Sequence, residues 1–239
     1  NMNGLSNNTS NSIMINGIGI GAIEIILFFF ISCSVRHVIK RLQNINIISY
    51  IWLSLTVLTG IWEASYIINN KNINNYSQYL ITYNEHVWTN KYSITYILPN
   101  KLANIFYAEY GAFADREYMI ETDDWSRIIE GTHAIFCGIF AATALFLKGK
   151  TYPTKYNLTV GISMGSQLMN SILYMGQYFI EISQQYSVNY NNTSFPVGDY
   201  LSKRPFMYVN IFWTIMPIYV LYDHYKTVSK KVNIDKIKS

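Results

Sequence analysis

The stretch Ile47–Ile68, IISYIWLSLTVLTGIWEASYII, carries one charged side chain, Glu63, in a run otherwise fit for a hydrocarbon membrane core. About 20 helical residues cross a core of ~30 Å, so this run spans it once. A second run, Ile128–Leu147 (IIEGTHAIFCGIFAATALFL), repeats the pattern with Glu130. A carboxylate at bilayer depth costs about 2.5–3.5 kcal/mol on insertion scales, so it persists where it faces a protein interior and is used. The two glutamates predict a membrane protein with a chemically active, partly dry interior.

Three further segments reach spanning length: Gly17–Val35, Leu158–Ile180 and Pro205–Tyr225. Backbone groups in lipid must be satisfied within the segment, so all five read as helices. The expected fold is all-α: a polytopic five-transmembrane-helix bundle. Residues 1–16 read as a flexible Asn/Ser-rich terminus, 17–225 as the membrane domain, and 226–239 as a basic tail. The long segment Asn69–Asp124 is too long for an empty loop. Within it Leu102–Phe113 (LANIFYAEYGAF), rich in Tyr and Phe, reads as a short interfacial helix.

Lys and Arg set the orientation. Arg36, Lys40 and Arg41 follow the first span, Lys148, Lys150 and Lys155 the third, and five lysines lie between Lys226 and Lys238. That face is expected to be cytosolic, leaving the acidic Asn69–Trp125 segment lumenal. The net charge of +4 follows from this asymmetry and gives no support to nucleic-acid binding. Cys33 and Cys137 lie in separate spans, which argues against a disulfide framework. The first span lacks the basic flank and small-residue cleavage site of a signal peptide. Sequons at Asn7, Asn8, Asn75, Asn191 and Asn192 are all lumenal in this topology, a weak pattern in so Asn-rich a chain.

Polar residues inside the spans are the candidate site. Gln167, Asn170, Ser171, Tyr174 and Gln177 follow one helical stripe, which lipid does not tolerate. Ser171 and Gln177 read as interhelical hydrogen-bonding groups. Asn210, Trp213 and Pro217 share a face of the fifth span. Trp213 can stabilise a cation in a dry site or simply pack; Pro217 reads as a kink. Glu130 and His133 lie one turn apart on one side of the third span. An apolar pocket lets a carboxyl hold a proton near neutral pH, as a general acid must. A buried His is more often a satisfied core residue, but beside a glutamate within a membrane it points to function. No metal-ligand cluster, phosphate-binding glycine loop or nucleophile elbow is present. The residues alone describe a bundle with paired glutamates, a His and a Trp around an apolar cavity, suited to proton transfer on a lipid-like molecule.

At these residues the chain resembles the emopamil-binding protein family (EXPERA-type), the Δ8–Δ7 sterol isomerases of the endoplasmic reticulum. The likeness runs from about Trp62 to Tyr225. Glu63 stands where the family has a glutamate late in its second span. Ala108-Glu109-Tyr110 with Ala114-Asp115 resembles "EY…(A/G)DSRY", and Glu130-Gly131-Thr132-His133-Ala134 resembles "EGITA". Lys148–Tyr152 and Gln167-Leu168 are similar to the connector and fourth span. Asn210-Ile211-Phe212-Trp213, Pro217 and Leu221–Tyr225 resemble "NxLW…P…LYDAY".

The resemblance implies a cofactor-free isomerase in the endoplasmic reticulum membrane that moves a sterol ring double bond through a carbocation. Glu63 and Glu130 are then the proton-handling carboxyls, Trp213 the π face under the cation, and Asn210 its hydrogen-bonding neighbour. Thr59, Gln167, Asn170 and Tyr174 fall to substrate binding. The chain departs from the family at Thr59, where a His is usual, and at His133, where a Thr is usual. Asp115-Arg116-Glu117-Tyr118 displaces an arginine, and Asn170-Ser171 replaces a Gly-Asp or Gly-Thr pair. His133 supplying the imidazole lost at Thr59 is one reading. The alternative is a catalytically inactive sterol- or lipid-binding protein, as a homodimer or a structural subunit of a larger complex in this or another organelle's membrane. An enzyme requires one cavity of several hundred Å³, within the usual range of about 300–1,000 Å³ for ligand pockets, lined by Glu63, Glu130 and Trp213.

Overall fold

The computed structural model describes residues 13–114, 124–150, 152–181 and 206–238. Most of these are helical: α1 (Gly17–Val38), α2 (Ile47–Tyr83), α3 (Pro99–Phe113), α4 (Asp124–Lys150), α5 (Pro153–Glu181) and α6 (Phe206–Lys238). Local signals place the helix starts. Asn16 accepts a hydrogen bond from the Gly19 amide at 2.8 Å and Asn46 one from Ile48 at 2.9 Å, each satisfying an amide left open at a helix N-terminus. Pro99 and Pro153 open α3 and α5, where a missing N–H costs nothing. Asn84 ends α2 in the left-handed region at φ 50°.

Among the described residues, α1, α2 and the Arg127–Lys150 part of α4 are long and apolar enough to cross a membrane. Helices of 29 and 33 residues, α5 and α6, also run through the predicted fourth and fifth segments. On α1 the ridge of Ile18, Ile25, Ile26, Phe29 and Phe30 is exposed, as expected of a face turned to lipid.

Three expectations need correction. The second span does not stop at Ile68: α2 continues to Tyr83, about 55 Å in all, so its last turns project beyond a single hydrocarbon core. The amino-terminal region is not flexible throughout. Met14–Asn16 forms β1, antiparallel to β2 (Lys91–Ser93), and the first turn of α1 docks beside it through Gly17 N–H to the Asn90 carbonyl at 3.1 Å. Gly17 is required there, because a Cβ would lie 2.1 Å from the Val87 oxygen. Third, α3 does not simply lie on a surface. Leu102, Ala103, Ile105, Tyr107 and Ala108 are buried against α2, and Ser77 of α2 donates to the Ala108 carbonyl at 2.8 Å. That bond engages the serine of the Asn75 sequon; the other four sequons lie outside the described residues.

The helices form a chain of neighbours in which α2 packs on α3 and α4, α4 on α5, α5 on α6, and α6 returns to α2. The return is polar as well as apolar: Ser49 donates to Asp223 at 2.8 Å. Near the basic ends, Arg41 donates to the Gly149 carbonyl at 3.0 Å, joining the turn after α1 to the end of α4.

The closest approach lies between α2 and α4. A Cβ on Gly60 would stand 3.2 Å from the Gly138 Cα and 3.3 Å from the Ala134 oxygen. One on Gly138 would meet the Gly60 Cα and the Thr56 oxygen at 3.1 Å each. Small residues let membrane helices approach until backbones touch. Replacing Gly138 with Leu is expected to separate the pair and destabilise the protein by about 1–3 kcal/mol. Thermal unfolding in detergent checks this, against Gly161→Leu, whose Cβ meets nothing within 4 Å.

Candidate functional site

The α2–α4 crossing sets the registry of the two glutamates. Glu63 lies about one turn beyond Gly60 on α2, and Glu130 two turns before Gly138 on α4. Glycine again matters between them. A Cβ at Gly131 would fall 2.5 Å from the Ile67 side chain and 4.0 Å from a Glu63 oxygen, so Ile67 of α2 packs over the bare backbone next to Glu130.

Both carboxyls open on one cavity of about 210 Å³. Thr59 and Glu63 come to it from α2, Glu130 and His133 from α4, Gln167, Asn170 and Tyr174 from α5, and Asn210 and Trp213 from α6. All nine sequence-predicted residues therefore share a single cavity, drawn from four helices. Thr59 and His133 face the same space, the geometric condition for one to stand in for the other. The volume falls short of the several hundred Å³ expected for a sterol. Tyr110 of α3 and Tyr174 of α5 join their hydroxyls at 3.2 Å along the cavity wall, holding those helices together.

Each carboxyl is held by a donor from another helix. Tyr107 of α3 donates its hydroxyl to one Glu63 oxygen, while the other is buried without a hydrogen-bond partner among the described residues. Asn170 of α5 donates to Glu130 at 2.7 Å. The His133 ring places Nε2 2.9 Å from the Ser166 carbonyl, a geometry that assigns the proton to Nε2 and leaves Nδ1 as an acceptor. Gln167 accepts from the Trp52 indole at 2.8 Å and donates to Thr56 at 3.4 Å, so it also braces α2 against α5.

Trp213 is placed by a backbone defect. Pro217 has no N–H, so the Trp213 carbonyl four residues earlier loses its helical donor. Ser171 of α5 supplies one instead at 3.3 Å. The interhelical role expected of Ser171 is thus specific: it satisfies the carbonyl that the proline orphans. The Trp52 ring meets Trp213 edge-on at 4.7 Å, fixing the indole from its other side. The Gln177 side chain and the Asp115–Tyr118 segment lie outside the described residues.

Sequence reasoning missed part of the wall. Trp62, Phe106, Tyr107 and Tyr110 also line the cavity. A signal existed, since Tyr107 and Tyr110 recur three residues apart on one helix face, but it reads equally as an interfacial aromatic belt. Glu109 is not part of this site: it is buried outside the cavity, accepting from His86 at 2.6 Å and from the Val87 amide at 3.0 Å.

The Pro217–Ser171 compensation gives a thermodynamic test. Ser171→Ala is expected to cost about 0.6–2 kcal/mol, the range for interhelical membrane hydrogen bonds. In a Pro217→Ala background, where residue 217 again carries an N–H, the same exchange is expected to cost little. A double-mutant cycle on unfolding in detergent measures the difference.

Against family models, curated proteins and solved structures, this chain finds no match.

Proposed function

We propose that this protein is a sterol Δ8–Δ7 isomerase-like enzyme of the emopamil-binding type, resident in the endoplasmic reticulum membrane as a five-span bundle with its basic ends cytosolic. The observation that carries the reading is the meeting of Glu63 and Glu130, from different helices, on one cavity that Trp213 also lines. Simple packing does not explain why two costly carboxyls should share one dry space.

The chemistry follows from that arrangement. One glutamate delivers a proton to an alkene carbon of the bound ring system. The adjacent carbon becomes a tertiary cation, and a proton then leaves from the neighbouring ring carbon to a carboxylate, so the double bond moves and no atom is gained or lost. Trp213 presents a π face to the cation, worth roughly 2 kcal/mol or more in a desolvated site. Tyr107 and Asn170 orient the carboxyls, and Asn210 stands one helical turn from Trp213. With water excluded, fixed dipoles act at full strength on the developing charge. His133 faces Thr59 across the same space and supplies the imidazole there. Admitting a sterol requires the Tyr110–Tyr174 contact to part, which costs about 0.5–1.5 kcal/mol for a neutral hydrogen bond.

A second reading is a sterol- or lipid-binding subunit without catalysis. The threonine at position 59, where the resembled family has a His, favours it.

Expression in yeast lacking sterol isomerase separates the two. The first reading expects Δ8 sterol to be converted to Δ7 sterol, and Glu63→Gln and Glu130→Gln each to lower the rate by about 10²-fold or more, the usual scale for a lost acid or base. His133→Ala is expected to slow conversion, and adding Thr59→His to restore part of it. A folded, membrane-inserted protein that binds sterol and converts none establishes the second reading.

A further inference from the structure

A third intramembrane glutamate stands outside the chemistry above. Glu24 lies in α1 among isoleucine, leucine and phenylalanine, and only 4% of its surface is exposed. One carboxyl oxygen accepts a hydrogen bond from the Trp62 indole N–H at 3.2 Å. The other is buried with no hydrogen-bond partner among the described residues. A carboxyl so placed is expensive, and a leucine would fill the site without that cost.

Its one hydrogen bond among the described residues explains its presence. Trp62 directly precedes Glu63, and its ring lines the cavity, where it leans on Phe106 of α3 with centroids 6.0 Å apart. Among the described residues none of α1 lines the cavity, so α1 reaches it through Trp62. An indole N–H in lipid-like surroundings needs an acceptor, and a Glu24 carboxyl oxygen supplies it. The amino end of α1 is itself pinned, with Ile18 N–H to the Trp88 carbonyl at 3.2 Å. Glu24 thus hangs from a fixed helix and holds a ring that would otherwise swing.

We propose that Glu24 is a positioning residue for the cavity: it locks the Trp62 indole as a rigid wall beside Glu63, so that a flat sterol ring system is received in one orientation. The inference rests on the proposed sterol site, and its test has one readout that does not.

The full-length protein in lipid nanodiscs is compared with Glu24→Leu, Glu24→Gln, Trp62→Phe and the Glu24→Leu/Trp62→Phe pair. Trp62 emission is taken as the difference between each protein that retains Trp62 and the same protein carrying Trp62→Phe. That emission is expected to shift and broaden in Glu24→Leu. Binding is read by energy transfer from tryptophan to dehydroergosterol. Glu24→Leu is expected to weaken it about tenfold, Trp62→Phe by a similar factor, and the pair no further. Glu24→Gln, whose amide oxygen still accepts the indole N–H, is expected to recover most of the loss. In turnover of a Δ8 sterol the Leu exchange is expected to raise KM more than it lowers kcat. Unchanged Trp62 emission in Glu24→Leu overturns the proposal, as do losses that simply add in the pair. If the unaltered protein gives no transfer to dehydroergosterol, the sterol reading of the cavity fails, while the emission shift alone still decides whether Glu24 fixes Trp62.

Discussion

The contact between Gly60 and Gly138 governs this structure. A helix pair bearing side chains at both positions cannot bring its axes this close, because the Cβ of either glycine would stand about 3.1–3.2 Å from the other's Cα. Close axes let Ile67 pack over the bare Gly131 and bring Glu63 to the same cavity as Glu130. Every other helix is then added to that pair: α3 and α5 bring the donors for the two carboxyls, and α6 brings the indole. In a membrane this order of construction is natural. Hydrophobicity does not drive helices together there, so close backbone packing and hydrogen bonding must.

A dry interior also fixes how its polar groups are partnered. Glu63 is fed by Tyr107 from α3, Glu130 by Asn170 from α5, and Glu24 by Trp62 from α2. In each case the partner is on a different helix, so removing a donor frees both a buried acceptor and a link between elements. The same economy appears at the backbone, where Ser171 serves the carbonyl orphaned by Pro217. Among the described residues, unpartnered buried carboxyl oxygens remain on Glu63 and Glu24. Both lie buried, the first on a residue that lines the cavity and the second on α1 outside it.

The spans around Glu63 and Glu130 were legible because intramembrane carboxyls stand out against apolar runs, and helical spacing placed the α5 stripe on one face. Those signals, with the family resemblance that brought in Thr59 and gave Asn210 its role, gathered nine residues that share one cavity. Helix ends were harder. Past Ile68 the α2 sequence turns to Asn and Tyr, which looks like a loop, yet Ile73, Ser77 and Leu80 keep an inward face buried against α3 and carry the helix to Tyr83. The role of α3 was hidden for a related reason: aromatic residues at a membrane surface and aromatic residues over a cavity have the same spacing, and only the tertiary contact of Tyr107 with Glu63 separates them. Glu24 was overlooked because it stands in the most apolar span, where a single carboxyl is diluted by its neighbours.

On the proposed sterol reading, the gap between a cavity of about 210 Å³ and the space a sterol needs has to be closed by a wall that moves. The wall that must yield is not the α2–α4 pair, whose backbones are in contact and whose carboxyls must keep their registry. It is the junction of α3 with α5, where the Tyr110 and Tyr174 hydroxyls meet. Rotating the two tyrosine side chains apart leaves α3 and α5 in place, with Tyr107 on Glu63, Asn170 on Glu130 and the Ser166 carbonyl on His133. On the proposed reading, that side-chain motion widens the cavity for a flat ligand while the helices, and the groups they hold over it, keep their places.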